Sequence, residues 1–161
     1  MNALDITVYA LAKLKIHEQV IGSLYKTYAE RFPEQAGFWS RLSREEEQHA
    51  KWVETLEEQM RDDPTSLVTN RFPREAIEHS IAFVEKLIVK AGRPEITPIN
   101  AISAALNLEQ GLLENKYFEV FETDKAEMKR VLRLLEDEAR SHYAIVQQAW
   151  QDMRRTVGEP A

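Results

Sequence analysis

The 161-residue chain contains no cysteine. That excludes disulfides, thiolate nucleophiles, zinc fingers and Cys-ligated iron–sulfur clusters. Glycine and proline are scarce, five and six residues, and the prolines fall at the edges of long helix-forming segments, as expected of an all-α chain. No apolar run approaches the roughly 18 residues that a membrane span needs. The start MNALDITVYALAKLK lacks the basic opening of a signal peptide, so a soluble cytoplasmic protein without a membrane partner is expected. Excess basic charge is also missing: the net charge is -6 with both signs interspersed, which argues against nucleic acid as a partner. The length suits one domain, residues 1–161, with enough core to fold unaided.

What is present is clearest from Phe38 to Val53, FWSRLSREEEQHAKWV. Trp39, Leu42, Val53 and Leu56 form an apolar stripe at helical spacing, and Glu46 and His49 fill the gap at its centre. Burying that carboxylate and imidazole unpaired would cost several kcal/mol. A bound cation is the commonest way to make such a pair tolerable.

The first helix is expected from about Asp5 to Arg31, with Leu11, Leu14, Ile21, Leu24 and Tyr28 on one face and Glu18 among them. Pro33 ends it and can begin the next, so a very short link should leave two antiparallel neighbours. The second helix runs to about Met60, where Asp62, Asp63 and Pro64 stop it. Residues 61–73 are polar and turn-forming. A further helix, about 74–90, carries Ile77, Ile81, Val84 and Ile88 on one face and ends at Gly92 and Pro94. Thr97 and Pro98 open the next, which should continue to about Phe121 with Ile102, Leu106, Glu109 and Leu113 in its stripe. Asp124 and Glu127 form a capping-box-like start for the last helix, expected to about Thr156 before Gly158. Its face reads Val131, Leu135, Glu138, His142, Ile145.

The polar interruptions repeat. Glu18 to Glu46 is 28 residues and Glu109 to Glu138 is 29; Glu18 to His49 is 31 and Glu109 to His142 is 33. Each half is a helical hairpin, about 5–60 and 97–156, with a carboxylate on its first helix and a carboxylate plus imidazole on its second. Two facing hairpins would bring four Glu and two His around one centre, the ligand set of a dinuclear carboxylate site in a four-helix bundle. Oxygen-rich ligands with two imidazoles suit divalent iron or manganese. Four carboxylates against two divalent cations make a neutral buried site.

At residues 11–56 the chain resembles the ferritin-like superfamily, in its rubrerythrin-like branch, through Glu18, Tyr25, Ala29, Phe38, Trp39, Leu42, Glu46, His49 and Ala50. Residues 101–146 are similar to the second hairpin of that family. The family has Glu-x-x-His on its last helix, whereas here position 139 is Ala139 and the nearest carboxylate, Glu138, lies four before His142. The resemblance implies a ferritin-like four-helix bundle with an extra helix in the crossover. It also implies two metal ions, with Glu46 and Glu138 bridging, Glu18 and Glu109 terminal, and His49 and His142 binding one each. Such a site would react with dioxygen or hydrogen peroxide as iron cycles between ferrous and ferric. With no rubredoxin domain, which the family commonly carries, electrons would come from a separate donor. A homodimer or higher homo-oligomer is expected.

Several residues have plainer readings. Glu75 and His79 lie off their helix's apolar stripe and read as a solvated pair; His17 is off the first stripe and is expected at the surface. Tyr25, Tyr28, Tyr117 and Tyr143 read as core or boundary aromatics, and Trp39, Trp52 and Trp150 as packing or interface residues. Two other functions suit the same pattern: iron oxidation and storage, and a metal-free helical bundle serving as an interaction module.

Overall fold

The computed structural model describes residues 1–157, so Gly158, expected to stop the last helix, lies outside the described residues. The described chain is all-helical: α1 (Ala3–Arg31), α2 (Ala36–Asp62), α3 (Arg74–Ala91), α4 (Pro98–Asn115) and α5 (Ala126–Val157). A single 3-10 turn, Pro33–Gln35, separates α1 from α2. The described residues contain no strand, only an isolated antiparallel bridge between Val68 and Glu122. No helix among them is long and apolar enough to cross a membrane.

Local chemistry sets the helix ends. Asn2 caps α1, accepting from the Asp5 amide while the Asp5 carboxylate takes the Asn2 amide. Thr97 and Asn100 do the same for α4, with Pro98 in the first helical position where its missing N–H costs nothing. α4 stops at Asn115, six residues before the expected Phe121. Lys116 turns left-handed with φ 50°, and the following turn directs Tyr117, Phe118 and Phe121 into the core. α5 begins close to where Asp124 and Glu127 predict it, with Thr123 Oγ1 accepting from the Lys125 amide at 3.1 Å.

α1 packs along both α2 and α3, α4 packs along α5, and α2 meets α5. The connection after α2 is tied down at Val68, whose amide and carbonyl bond to Glu122 at 2.9 and 2.8 Å. It is tied again at Thr69, whose amide donates to Thr7 Oγ1 at 2.9 Å. These bonds satisfy loop groups that burial would otherwise leave without partners.

The apolar core divides into two clusters. One gathers Leu11, Leu14, Val53, Leu56, Ile77 and Leu135, and the other Ile21, Leu24, Tyr25, Trp39, Leu42 and Val146. On α1, α2 and α5 polar residues separate the two: Glu18 between Leu14 and Ile21, Glu46 and His49 between Leu42 and Val53, His142 between Leu135 and Val146. Glu109 completes this level from α4, next to buried Leu108. Apolar packing above and below therefore clamps a charged layer in place.

Candidate metal centre

Five side chains from four helices converge in that layer: Glu18 from α1, Glu46 and His49 from α2, Glu109 from α4 and His142 from α5. All are at most 5% exposed. α1 approaches α2 closely here because Gly22 has no side chain: a Cβ there would stand 3.4 Å from Glu46 Cβ. Ser43 Oγ donates to the Gly22 carbonyl at 2.8 Å and locks the two helices in register.

The histidines present Nδ1 to the inner carboxylates. His142 Nδ1 lies 2.9 Å from Glu46 Oε1 and 3.8 Å from Glu109 Oε1. His49 Nδ1 lies 3.4 Å from Glu46 Oε2 and 3.7 Å from Glu18 Oε2. The two imidazoles face each other with centroids 4.9 Å apart. Their Nε2 atoms point outward and cross between helices: His142 Nε2 is 3.3 Å from Glu45 Oε1, and His49 Nε2 is 3.5 Å from Glu138 Oε2. Tyr25 supports the centre from inside, its hydroxyl donating to Glu109 Oε1 at 2.5 Å, and its ring rests 5.4 Å from that of Trp39. Trp52 stacks on His49 at 5.5 Å.

Such crowding of charge reshapes the titration of the metal-free cluster. Burial opposes a charge on His49, but the Glu18 and Glu46 carboxylates outweigh it and hold its pKa up to about 10. Burial likewise opposes charge on His142, and Glu109 and Glu46 carry it up to about 11. Burial, then the neighbouring Glu46 carboxylate, push Glu18 above the usual carboxylate range. Glu46, which burial alone would raise, is held below that range by hydrogen bonds from Glu18, His142 and His49. Without metal, the histidines are imidazolium cations lying against buried carboxylates.

The donor set also fits a metal ion. Glu46, His49 and His142 each offer a ligand atom within 4.8 Å of the others. Glu46 Oε2 and Glu109 Oε2 are buried without a hydrogen-bond partner, which is costly unless something else satisfies them. A cavity of about 260 Å³ opens directly over these groups and is lined by all five of them. Outside the histidines, Glu45 and Glu138 with His142 form a second, half-exposed grouping of possible ligands.

Of the six residues singled out by spacing, five share the buried layer. Glu138 is placed differently: it is half-buried, does not line the cavity, and meets the outer nitrogen of His49. The reason is the register of α5. Its inward face runs Met128, Val131, Leu135, Ala139, His142, Val146, in steps of three and four, and passes through Ala139. Ile145, expected on that face, is half-buried. Glu45 was not apparent from periodicity, yet it precedes His49 by four residues just as Glu138 precedes His142, and that shared offset is its signal. His17 corrects an expectation. It is buried, 1% exposed, because α3 covers that side of α1: Ser80 Oγ sits 2.8 Å from its Nε2, and Tyr117 meets its ring edge-on at 5.7 Å. Glu75 and His79 are exposed on α3.

No protein-family model matches the chain, and neither the curated proteins nor the solved structures searched contain a match.

Proposed function

We propose that the chain is a ferritin-like metalloprotein of rubrerythrin type, in which α1, α2, α4 and α5 form the four-helix bundle and α3 spans the crossover. The reading holds that its centre carries two divalent ions, iron or in second place manganese, and performs redox chemistry on dioxygen or hydrogen peroxide. One observation carries it: three carboxylates and two imidazoles from four helices meet in a buried layer, with two buried carboxylate oxygens that accept no hydrogen bond. Bound iron would supply the electrons, cycling between ferrous and ferric.

The protein's own residues have definable parts in this reading. Glu18, Glu46, Glu109 and the Nδ1 atoms of His49 and His142 are the inner donors. Glu45 and Glu138 accept from the Nε2–H of the histidine on the opposite helix, which fixes the tautomer that leaves Nδ1 free to bind. Tyr25 orients Glu109 and can supply a proton at its hydroxyl. The clustered apolar residues on either side close the layer off, which leaves the cavity as its approach. Electrons would come from a separate donor, and a cytoplasmic setting suits that need.

A second reading has its own support. The raised histidines neutralise the carboxylates as imidazolium ions, so the layer is also tolerable as a metal-free ionic network within an interaction module. Metal content after purification without chelators tests both. Close to two iron or manganese ions per chain is the expected result, and none would overturn the redox reading in favour of the second.

A further inference from the structure

The cavity over the centre is larger and more apolar than dioxygen or peroxide requires. At about 260 Å³ it is many times the roughly 10–15 Å³ that holds a single water. Its floor is the layer of buried charge, but its walls are Leu112, Leu113, Phe118, Leu135 and Ala139. An apolar chamber over a few convergent polar groups is the usual form of a small-molecule site.

Ala139 determines what the floor lacks. On α2, Glu46 sits three residues before His49; on α5, the residue three before His142 is Ala139, and it borders the cavity. The inner layer thus holds three carboxylates, Glu18, Glu46 and Glu109, where a symmetric layer would hold four. Within the inner layer alone, two divalent cations bring four positive charges, neutral imidazoles none, and three carboxylates only three negative charges; Glu45 and Glu138 lie outside it, half-exposed, against the Nε2 atoms. A net positive charge in a buried site is expensive unless an anion balances it, and the space in which an anion could sit is open beside Ala139.

The rim does not select charge by itself. Arg140 is engaged by Asp137 at 2.8 Å and Glu136 at 4.0 Å, and Glu119 and Lys116 also line the opening. The preference for an anion therefore arises at the floor, and the preference for an apolar body arises at the walls.

We propose, resting on the dinuclear reading above, that this cavity binds a small organic carboxylic acid. Its carboxylate fills the place beside Ala139 that a fourth acidic side chain would occupy, and its hydrocarbon tail packs on Leu112, Leu113, Phe118 and Leu135. The substrate or product class of the centre is then a short-chain or aryl carboxylic acid, bound next to the metals.

Calorimetric titration of the full-length chain loaded with manganese, its metal content measured on the same sample, tests this with three probes: hexanoate, hexanol and acetate. Hexanoate should bind at least tenfold more tightly than either hexanol, which lacks the charge, or acetate, which lacks the tail. Ala139→Glu should keep its metal and lose hexanoate binding by at least tenfold, because its own carboxylate takes the anion's place. Leu113→Trp, which fills the chamber without touching the floor, should keep its metal and also lose hexanoate. Equal affinity for hexanoate and acetate, or hexanoate binding unchanged in a metal-replete Ala139→Glu chain, would overturn the proposal and leave the dinuclear reading standing. A native chain that takes up no metal overturns both.

Discussion

Nδ1 of His142 stands 2.9 Å from Oε1 of Glu46, joining α5 to α2 through the middle of the buried layer. Glu46 also faces His49 through its other oxygen at 3.4 Å, so this one carboxylate serves both imidazoles. Glu46 thus joins the two halves of the chain at the middle of the layer, with the Glu45–His142 and Glu138–His49 contacts outside it.

Replacing it tests that coupling. Glu46→Ala should lose most bound metal, because it removes the carboxylate common to both histidines. It should also destabilise the metal-free protein at neutral pH, since two buried imidazoliums lose their shared partner; breaking such pairs typically costs about 3–5 kcal/mol. For a chain of this size that corresponds to a Tm lowered by roughly 6 °C or more. Metal analysis and thermal unfolding in EDTA check the two effects separately, and wild-type metal content in the variant would refute the site.

The metal-free protein should be less stable in alkali. His49 and His142 are held up to about 10 and about 11, above the ordinary histidine value of about 6.5 that an unfolded chain would show. A raised pKa means that the folded state binds the extra protons. Their contribution is fully present below about pH 6.5 and is lost as pH rises through 10 to 11. Urea unfolding in EDTA should show stability falling over that window, and a His49→Gln, His142→Gln double variant should flatten the slope. Metal binding displaces the same protons, so proton release on loading should be measurable at pH 7.

His17 has the opposite sign. Burial pulls its pKa down to about 4, with Glu18 opposing weakly. A lowered pKa means that the unfolded state binds the extra proton, so the contribution is intact above about pH 6.5 and is lost as pH falls toward 4. A proton NMR titration should place this histidine's midpoint well below the ordinary histidine value of about 6.5. A midpoint near 6.5 would show that α3 does not cover it in solution.

The helices and the buried layer were legible because apolar spacing is a direct record of which face is covered. Glu18, Glu46, His49, Glu109 and His142 interrupt that spacing, and the structure buries all five. The same logic failed where the cover is tertiary. His17 lies off the α1 stripe, but α1 is packed on two sides, by α2 and by α3, and a stripe argument counts only one. On α5 both Glu138 and Ala139 fit helical spacing with His142, and polarity suggested the carboxylate as inward. Packing selected Ala139, because the inward row from Leu135 to Val146 passes through it. The early end of α4 was hidden for a related reason: Lys116 has no sequence signature of a left-handed residue.

Tyr25→Phe should cost the metal-free protein about 1–2 kcal/mol, because the phenol's 2.5 Å bond is the hydrogen bond that Glu109 Oε1 receives from a neutral donor in a fully buried setting. The ring and its contact with Trp39 remain in the variant, so urea unfolding isolates the bond. No loss of stability would mean that Glu109 finds another donor. In the loaded protein, freeing Glu109 should speed release of the ion nearest it.

In the proposed dinuclear reading the two metal positions should differ in strength, because the two halves of the buried layer are not equivalent. Glu18, Glu46 and His49 supply two buried carboxylates and an imidazole around one position. Around the other, Glu109 and His142 have no inward carboxylate of their own on α5, since Glu138 is turned about 100° from the Ala139 direction and contacts the outer nitrogen of His49 instead. A position with fewer charged donors holds its ion less tightly and yields it first when its histidine protonates. Titration of the metal-free chain with manganous ion should resolve a tight and a weaker step, with the weaker ion leaving first on dialysis at mildly acid pH. Ala139→Glu should bring the second step close to the first. Glu138→Gln should weaken binding more modestly, by about 10- to 100-fold, as expected for a residue that orients a ligand from outside. Two equal, tight steps in the native chain, unmoved by Ala139→Glu, would show that the asymmetry of α5 has no bearing on metal affinity.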